Sequence, residues 1–325
     1  MDLIYTDASR TDIGVLLAYE LDLAFGEDEN DFECTVSSNN HCCSPGSYLY
    51  IEGTEYGGIV DAIANNTAAQ EVTYSGRTWQ GILNSKVIQP NSGQDYLTLS
   101  GEANTVIATL LSRLGLGDLM EASTGASGLT ITSYKMPRYA GGYDGIAKML
   151  SAVGGKLLFS FQDGKVILSA VPRHDYSQDE EFNSDLIDYQ SKRCYTTVNH
   201  LICLGKGELA EREVVHLYAD EQGNISQTQT FTGLEEYAEA YDYSNAESTE
   251  ELVKGGTERL KELWGQDELQ IDFSEESEAY DIGDIVGAMD NVTKIAVSAE
   301  IQKKIVTVKN GQVTVSYEVG GLNNG

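Results

Sequence analysis

Thiols, imidazoles and carboxylates are the groups from which metal centres and acid–base sites are built. The sequence gathers them most tightly at Cys34, His41, Cys42 and Cys43, where the chemistry would be zinc ligation. Adjacent cysteines cannot easily both face one tetrahedral ion, and no C-x-x-C pair is present. The other reading is a loop with buried or idle thiols, and no metal is assigned. His200 and Cys203 lie on one apolar run, but a spacing of three on a strand sends them to opposite faces. The four histidines, His41, His174, His200 and His216, fall in neither an H-E-x-x-H nor a G-x-S-x-G pattern. Gly141-Gly142-Tyr143-Asp144-Gly145 precedes a helical pattern without a Walker ending or G-x-G-x-x-G spacing, which reads as a turn with a helix cap. With 51 Asp plus Glu in the chain, pairs of carboxylates arise by chance. No catalytic residue, cofactor site or metal ligand is therefore assigned, and the chain reads as a non-enzyme.

The charge balance narrows the partners. Lys plus Arg is 21 against 51 acidic residues, a formal net charge of −30. Such a field repels phosphate, which argues against sequence-specific nucleic-acid binding. No apolar run approaches the roughly 20 residues needed to span a bilayer, and the start, MDLIYTDASRTDIGVLLAYELDL, lacks a basic segment before an apolar core. Synthesis in the cytoplasm is expected. Five cysteines (Cys34, Cys42, Cys43, Cys194, Cys203), an odd number, suit reduced thiols. The 33 glycines imply many turns, and 19 tyrosines against 7 phenylalanines suit half-buried sheet surfaces or subunit contacts.

The elements that must position these residues give an α+β, mainly β fold: two small β-barrel-like modules with an inserted α/β section. Residues 1–95 read as the first module, with strands at 1–5, 13–23, 31–36 and around Tyr48 and Tyr50. Residues 58–64 and 71–75 form a hairpin around Asn65-Asn66-Thr67, and a short helix from Trp79 follows as a lid on the barrel. Residues 96–172 read as the α/β insert. A strand at 96–99 precedes a helix striped by Val106, Ile107, Leu110, Leu111 and Leu114 and ended by Gly115. A strand at 129–133 and a second helix with Ile146, Met149, Leu150 and Val153 lead to a hairpin at Asp163-Gly164. Residues 173–325 read as the second module, with strands at 198–204, 214–219, 227–232, 268–273, 282–288 and 295–305, the last with a bend. An acidic amphipathic helix of about 248–264 opens on Ser248-Thr249-Glu250-Glu251 and closes at Gly265. A hairpin at Asn310-Gly311 and a flexible end at 320–325 complete it.

Three stretches carry a resemblance. The first is Gly58-Ile59-Val60 with Ile63, followed by Gly76-Arg77-Thr78-Trp79 with Ile82, Leu83, Lys86 and Ile88. The second is YDIGDIVGAMDN at 280–291, with Tyr280, Asp281, Gly283, Asp284 and Val286; the third is ENDFECTV at 29–36. Their order and separation resemble the tail hub (baseplate hub) proteins of phages and prophages, of the siphovirus tail type. Within the 280–291 stretch the residues alone read as a strand entered through a glycine turn, with Asp284 at the bend satisfying local amides.

The resemblance implies a structural protein of the tail tip or baseplate, part of an injection apparatus. Three copies would form a homotrimeric ring that adapts a six-fold tube to a three-fold spike or fibre. Its partners would be itself, the tail tube or distal tail protein, a spike or fibre protein and the tape-measure protein. An acidic surface facing the channel would let DNA pass without sticking; the other reading of the charge is a merely soluble acidic surface. Two other readings stand beside it: a tail-associated peptidoglycan hydrolase, for which the chain after the second module leaves no room, and a carbohydrate-binding module, which would show exposed aromatic residues on one sheet face.

Overall fold

The structure is a computed structural model that describes residues 2–176, 187–192, 197–264, 268–273, 280–289, 296–319 and 323–324. Cys194, the Gly265 helix stop, and Asp290 and Asn291 of the 280–291 stretch fall outside these residues. The fold is α+β and mainly β, in several sheets, and among the described residues none of them closes. The chain divides into two compact units. Unit 1 takes Met1–Asp188, Asp272–Met289 and Ala296–Gly325, and unit 2 takes Tyr189–Ile271 and Asp290–Ile295.

This division differs from the expected three sections, for two physical reasons. First, the C-terminal strand Ala296–Lys309 pairs antiparallel with Glu20–Gly26, from Lys303 opposite Gly26 to Val308 opposite Leu21. Alternate residues Leu21, Leu23 and Phe25 and, opposite them, Val306 and Val308 are buried, so the two ends of the chain share one sheet. Its order runs Ile285–Met289, Ala296–Lys309, Glu20–Gly26, Asp31–Ser37, Glu71–Arg77, Ala62–Asn66, with Gln312–Val319 and Asn323–Asn324 also on Ala296–Lys309. Second, one core runs straight across the 95/96 boundary. Trp79, Ile82, Leu83 and Ile88 pack in a single buried cluster with Ile107, Leu110, Met149, Leu150 and Phe161.

Local chemistry explains the elements. The hairpin Gly155–Gln162/Lys165–Pro172 turns at Asp163 and Gly164, both with positive φ (50° and 76°), as the type I′ turn requires. Asn310 and Gly311 repeat this at 53° and 78°. Helix α1 (Trp79–Asn84) starts at Thr78, whose hydroxyl accepts the Gly81 N–H at 3.2 Å. Helices α2 (Ala103–Arg113) and α3 (Gly142–Ser151) bury the predicted stripes, and Gly115 and Gly154 follow them in the left-handed region. The predicted 13–23 strand is two strands in different sheets, Asp12–Leu16 and Glu20–Gly26. The predicted bend in the last long strand is a register shift between Ile301 and Lys303. The expected flexible end is tied in part, since Asn323–Asn324 pair with Ala296–Lys309.

Unit 2 holds a four-stranded sheet ordered Ile225–Ser226, Val214–Ala219, His200–Leu204, Ala238–Asp242. The expected strand at 227–232 does not form; Ala238–Asp242, missed in the sequence because its apolar content is low, pairs parallel with His200–Leu204 instead. Helix α4 (Thr249–Leu263) is capped by Ser248, whose hydroxyl accepts the Glu251 N–H at 3.2 Å. Leu252 and Leu260 bury against Leu201, Cys203 and Leu217. Gly256 sets how close the helix comes: a Cβ there would lie 2.3 Å from Cys203 Sγ and 2.8 Å from Leu217 Cδ1. Gly256→Ala gains about 1 kcal/mol of helix propensity but overfills this contact at a cost of about 1–3 kcal/mol. A net loss of stability is expected in urea titrations followed by Trp264 fluorescence, although the same substitution on an open helix face would stabilise.

Candidate functional site at a buried charged junction

Two of the three stretches that carry the resemblance, those opening at Gly58 and at Tyr280, pack on one cluster inside unit 1, through Val60 and Ile282. The first depends on close backbone crossing. A Cβ at Gly58 would stand 2.2 Å from the Arg77 carbonyl oxygen, and one at Gly76 would stand 1.9 Å from the Ile59 carbonyl oxygen. Only glycine lets the short strand Gly57–Ile59 cross Glu71–Arg77 at this distance. Arg77 then turns outward and holds Asp61 by two contacts, Nε to Oδ2 at 2.7 Å and Nη2 to Oδ1 at 2.8 Å, while Nη1 donates to Ser85 Oγ at 3.2 Å. Arg77 keeps the Asp61 carboxyl below its usual pKa.

Trp79 follows, wholly buried. Its ring stacks on Phe161 at 5.1 Å and 8° and meets the edge of Tyr48 at 5.3 Å and 86°. The expected lid over a barrel mouth is thus a helix sunk in the core, because five of the six α1 residues are buried and among the described residues no sheet closes to leave a mouth.

In the second stretch Gly283 adopts φ +94°, and a Cβ there would touch Lys156 Cβ at 2.9 Å. This turn carries Asp281 and Asp284 to the same ammonium group: Lys156 Nζ lies 2.7 Å from Asp281 Oδ2 and 2.7 Å from Asp284 Oδ2. Asp284 has no exposed surface. Its Oδ1 accepts the His174 N–H at 2.8 Å and its Oδ2 the Asp281 N–H at 3.1 Å. Burial alone would lower the Lys156 pKa; the hydrogen bonds to Asp281 and Asp284 outweigh it, and the net direction is upward. The Asp281 amide is the local contact that the residue pattern suggests, whereas the His174 amide lies 110 residues away and the lysine partner 128, and neither has a local signal. Val286 is fully buried with Ile301 and Val306.

Lys304 joins the 280–291 stretch to Glu55, just ahead of the stretch that opens at Gly58. Its Nζ donates to Glu55 Oε1 at 2.8 Å and to the Tyr280 carbonyl at 3.3 Å, over the rings of Tyr56 and Tyr317 at 5.5 and 5.7 Å. Burial disfavours its charge, but Glu55 and the two tyrosines hold its pKa above that of an ordinary lysine. A fully paired set of buried charges fixes geometry. Each ammonium is bonded to at least one carboxylate, and among the described residues the contacts of the junction set no base against a nucleophile.

The other candidates lie elsewhere. In the 34–43 region, His41 Nδ1 sits 3.0 Å from the Tyr74 hydroxyl, which also accepts the Cys42 N–H at 2.9 Å. Cys34 and Cys43 are buried in an apolar cluster. Burial pushes the Cys34 thiol up to about 12 and raises Cys43 as well, which favours the protonated thiol over the metal-binding thiolate. Among the described residues no group of three or more His, Cys, Asp and Glu is arranged to hold a metal ion. The 141–145 loop is the start of α3, where Asn84 Oδ1 accepts the Asp144 N–H at 3.2 Å and the Lys86 carbonyl accepts the Gly142 N–H at 2.8 Å.

In unit 2 the sequence reading missed a chain of side chains. Glu236 Oε1 lies 2.6 Å from His200 Nδ1, and His200 Nε2 lies 2.8 Å from His216 Nδ1. The signal was register: the antiparallel pairing puts His216 opposite Ile202 and Tyr218 opposite His200, so His200 and His216 are diagonal neighbours on one face. Cys203 is on the other face, in the core under α4. Among the described residues neither imidazole bonds a hydroxyl or thiol that would make the set a nucleophilic triad.

The chain is similar to solved tail proteins. Prophage tail protein gp18 from Listeria monocytogenes EGD-e aligns with a TM-score of 0.49 and 14% identity, over 100% of this chain and 95% of that one. The tail protein from Neisseria meningitidis MC58 follows at 0.47 and 11%, over 98% and 95%. The 43 kDa tail protein of prophage MuSo2 from Shewanella oneidensis gives 0.46 and 11%, over 98% of both chains. No family model matches the sequence, and no curated protein matches it. At these values the likeness assigns neither activity nor partners.

Proposed function

We propose that this protein is a structural component of a phage, prophage or phage-derived tail, and that it acts as the hub at the tail tip or baseplate. Three copies form a homotrimeric ring between a six-fold tube and a three-fold spike or fibre, with a channel for DNA or the tape measure. One observation carries the reading: Lys304 bonds both Glu55, just ahead of the stretch that opens at Gly58, and Tyr280, the first residue of the 280–291 stretch, so segments remote in sequence are held together by charged groups paired with one another. Paired in this way, the charged groups support a role in architecture.

A surface for self-association supports it. Copies of a chain carrying −30 repel at long range and can meet only through patches of low charge. Asp12–Leu16 is the last strand of the sheet Asp12–Leu16, Leu3–Thr6, Tyr48–Tyr50, Gly57–Ile59, and its side chains Ile13 and Val15 are 56% and 41% exposed, with Leu17 beyond it at 94%. An open apolar edge invites another strand. Light scattering combined with negative-stain averaging is expected to show a three-fold ring with a central hole, reduced to monomer by Ile13→Lys with Val15→Lys. A wild-type monomer at high micromolar concentration would end the hub reading.

A further inference from the structure

We propose that unit 1 holds a binding site for an organic cation, the guanidinium or ammonium side chain of a partner polypeptide, and this stands independently of the tail reading. The site is a cavity of about 360 Å³ between the turn at Arg10, the strand Tyr48–Tyr50 and the hairpin tip at Asp163. That volume suits one side chain more than a folded surface.

Its floor is aromatic: Tyr48, Tyr50 and Phe161 are each no more than 3% exposed. Its rim carries Asp12, Glu52, Asp118 and Asp163 against a single Arg10, four negative groups to one positive, or −3. Two of the four carboxylates are committed. Asp12 Oδ1 accepts the Tyr50 hydroxyl at 2.7 Å, and Glu52 Oε1 accepts the Asp163 N–H at 3.2 Å. Among the described residues the carboxylates of Asp118 and Asp163 have neither an ion pair nor a hydrogen bond, and the buried Tyr48 hydroxyl has no partner either. Two idle carboxylates beside an aromatic ring that already carries a guanidinium make an environment that recognises a cation by charge and ring together.

The chain itself shows the seat. The Arg10 guanidinium lies 5.2 Å from the centre of the Tyr48 ring. Arg10 is exposed, sits in the left-handed region (φ 69°) and belongs to a turn held by Asp7, whose Oδ1 accepts the Ser9 and Thr11 N–H groups. It is a weak internal occupant that a partner's basic side chain can displace. Other ligand classes fit less well. A net −3 rim repels anions, the described residues offer no three-ligand metal set, and the buried rings give no open platform for a sugar.

The probe is N-acetyl-arginine amide, compared with its neutral isostere N-acetyl-citrulline amide. Binding is measured by calorimetry and by Trp79 fluorescence in a Trp264→Phe background, because Trp79 packs against both Tyr48 and Phe161. The arginine probe is expected to bind roughly tenfold tighter than the citrulline probe or better, an ion pair near a ring being worth on the order of a tenfold effect. Asp118→Asn with Asp163→Asn, both exposed loop positions, should weaken it by a similar factor, and Arg10→Ala should strengthen it. Equal binding of the two probes, affinity unchanged in the double variant, or no binding even to the Arg10→Ala protein overturns the proposal.

Discussion

Replacing Lys156 with methionine is expected to destabilise unit 1 by about 3–5 kcal/mol, since removing one partner leaves a buried charge uncompensated. Methionine keeps the length and apolar stem of lysine, so the loss isolates the ammonium group from packing. Asp281 is 35% exposed at its side chain and can turn toward water, but Asp284 is at 0% and cannot. The midpoint of thermal unfolding should fall by on the order of 10 °C for a unit of this size. Adding Asp284→Asn to Lys156→Met should restore part of the loss, because the amide oxygen can still accept the His174 N–H without carrying charge. A single variant within roughly 0.5 kcal/mol of wild type would mean that water reaches this lysine and its two carboxylates in solution.

Trp79→Ala should cost a similar amount, about 3–5 kcal/mol. The ring is wholly buried between Tyr48 and Phe161, residues that belong to different stretches of sequence, so its loss opens a void where two parts of one core meet. Trp79→Phe should be much milder. The indole Nε1 has no hydrogen-bond partner, so phenylalanine forfeits volume but no polar contact. The chain has two tryptophans, and the other, Trp264, packs in the unit 2 core. Its fluorescence reports unit 2 in the Trp79 variants while circular dichroism reports the whole chain. Equal midpoints for Trp79→Ala and wild type would contradict the core position assigned to α1.

Much of the local structure is legible from residue order, because it depends on neighbours a few positions apart. The stripes at Val106, Ile107, Leu110 and at Ile146, Met149, Leu150 name α2 and α3. Asp163-Gly164 and Asn310-Gly311 name their hairpins through backbone sterics alone, and Ser248 names the start of α4. Pairing between distant strands is a different kind of information. Any buried strand with alternating apolar residues can join any other, so nothing near Leu21, Leu23 and Phe25 marks Val306 and Val308 as their partners.

The charged junction shows the same divide. Gly58, Gly76 and Gly283 are conspicuous as residues, but which carbonyl or side chain presses against each is set by crossings made elsewhere in the chain. Asp284 as a turn residue is a local reading; Lys156 as its counter-ion, Lys304 as the bridge from Glu55 to Tyr280, and the line from Glu236 through His200 to His216 exist only after the sheets assemble. The sequence by itself determined the mainly β character, helices α1 to α4, the turns and the strongly acidic composition, all governed by short-range sterics and residue content. Tertiary structure alone decided the shared sheet of the two chain ends, the single core through Trp79 and the pairing of the buried charges, since each depends on contacts between residues that lie far apart in the chain.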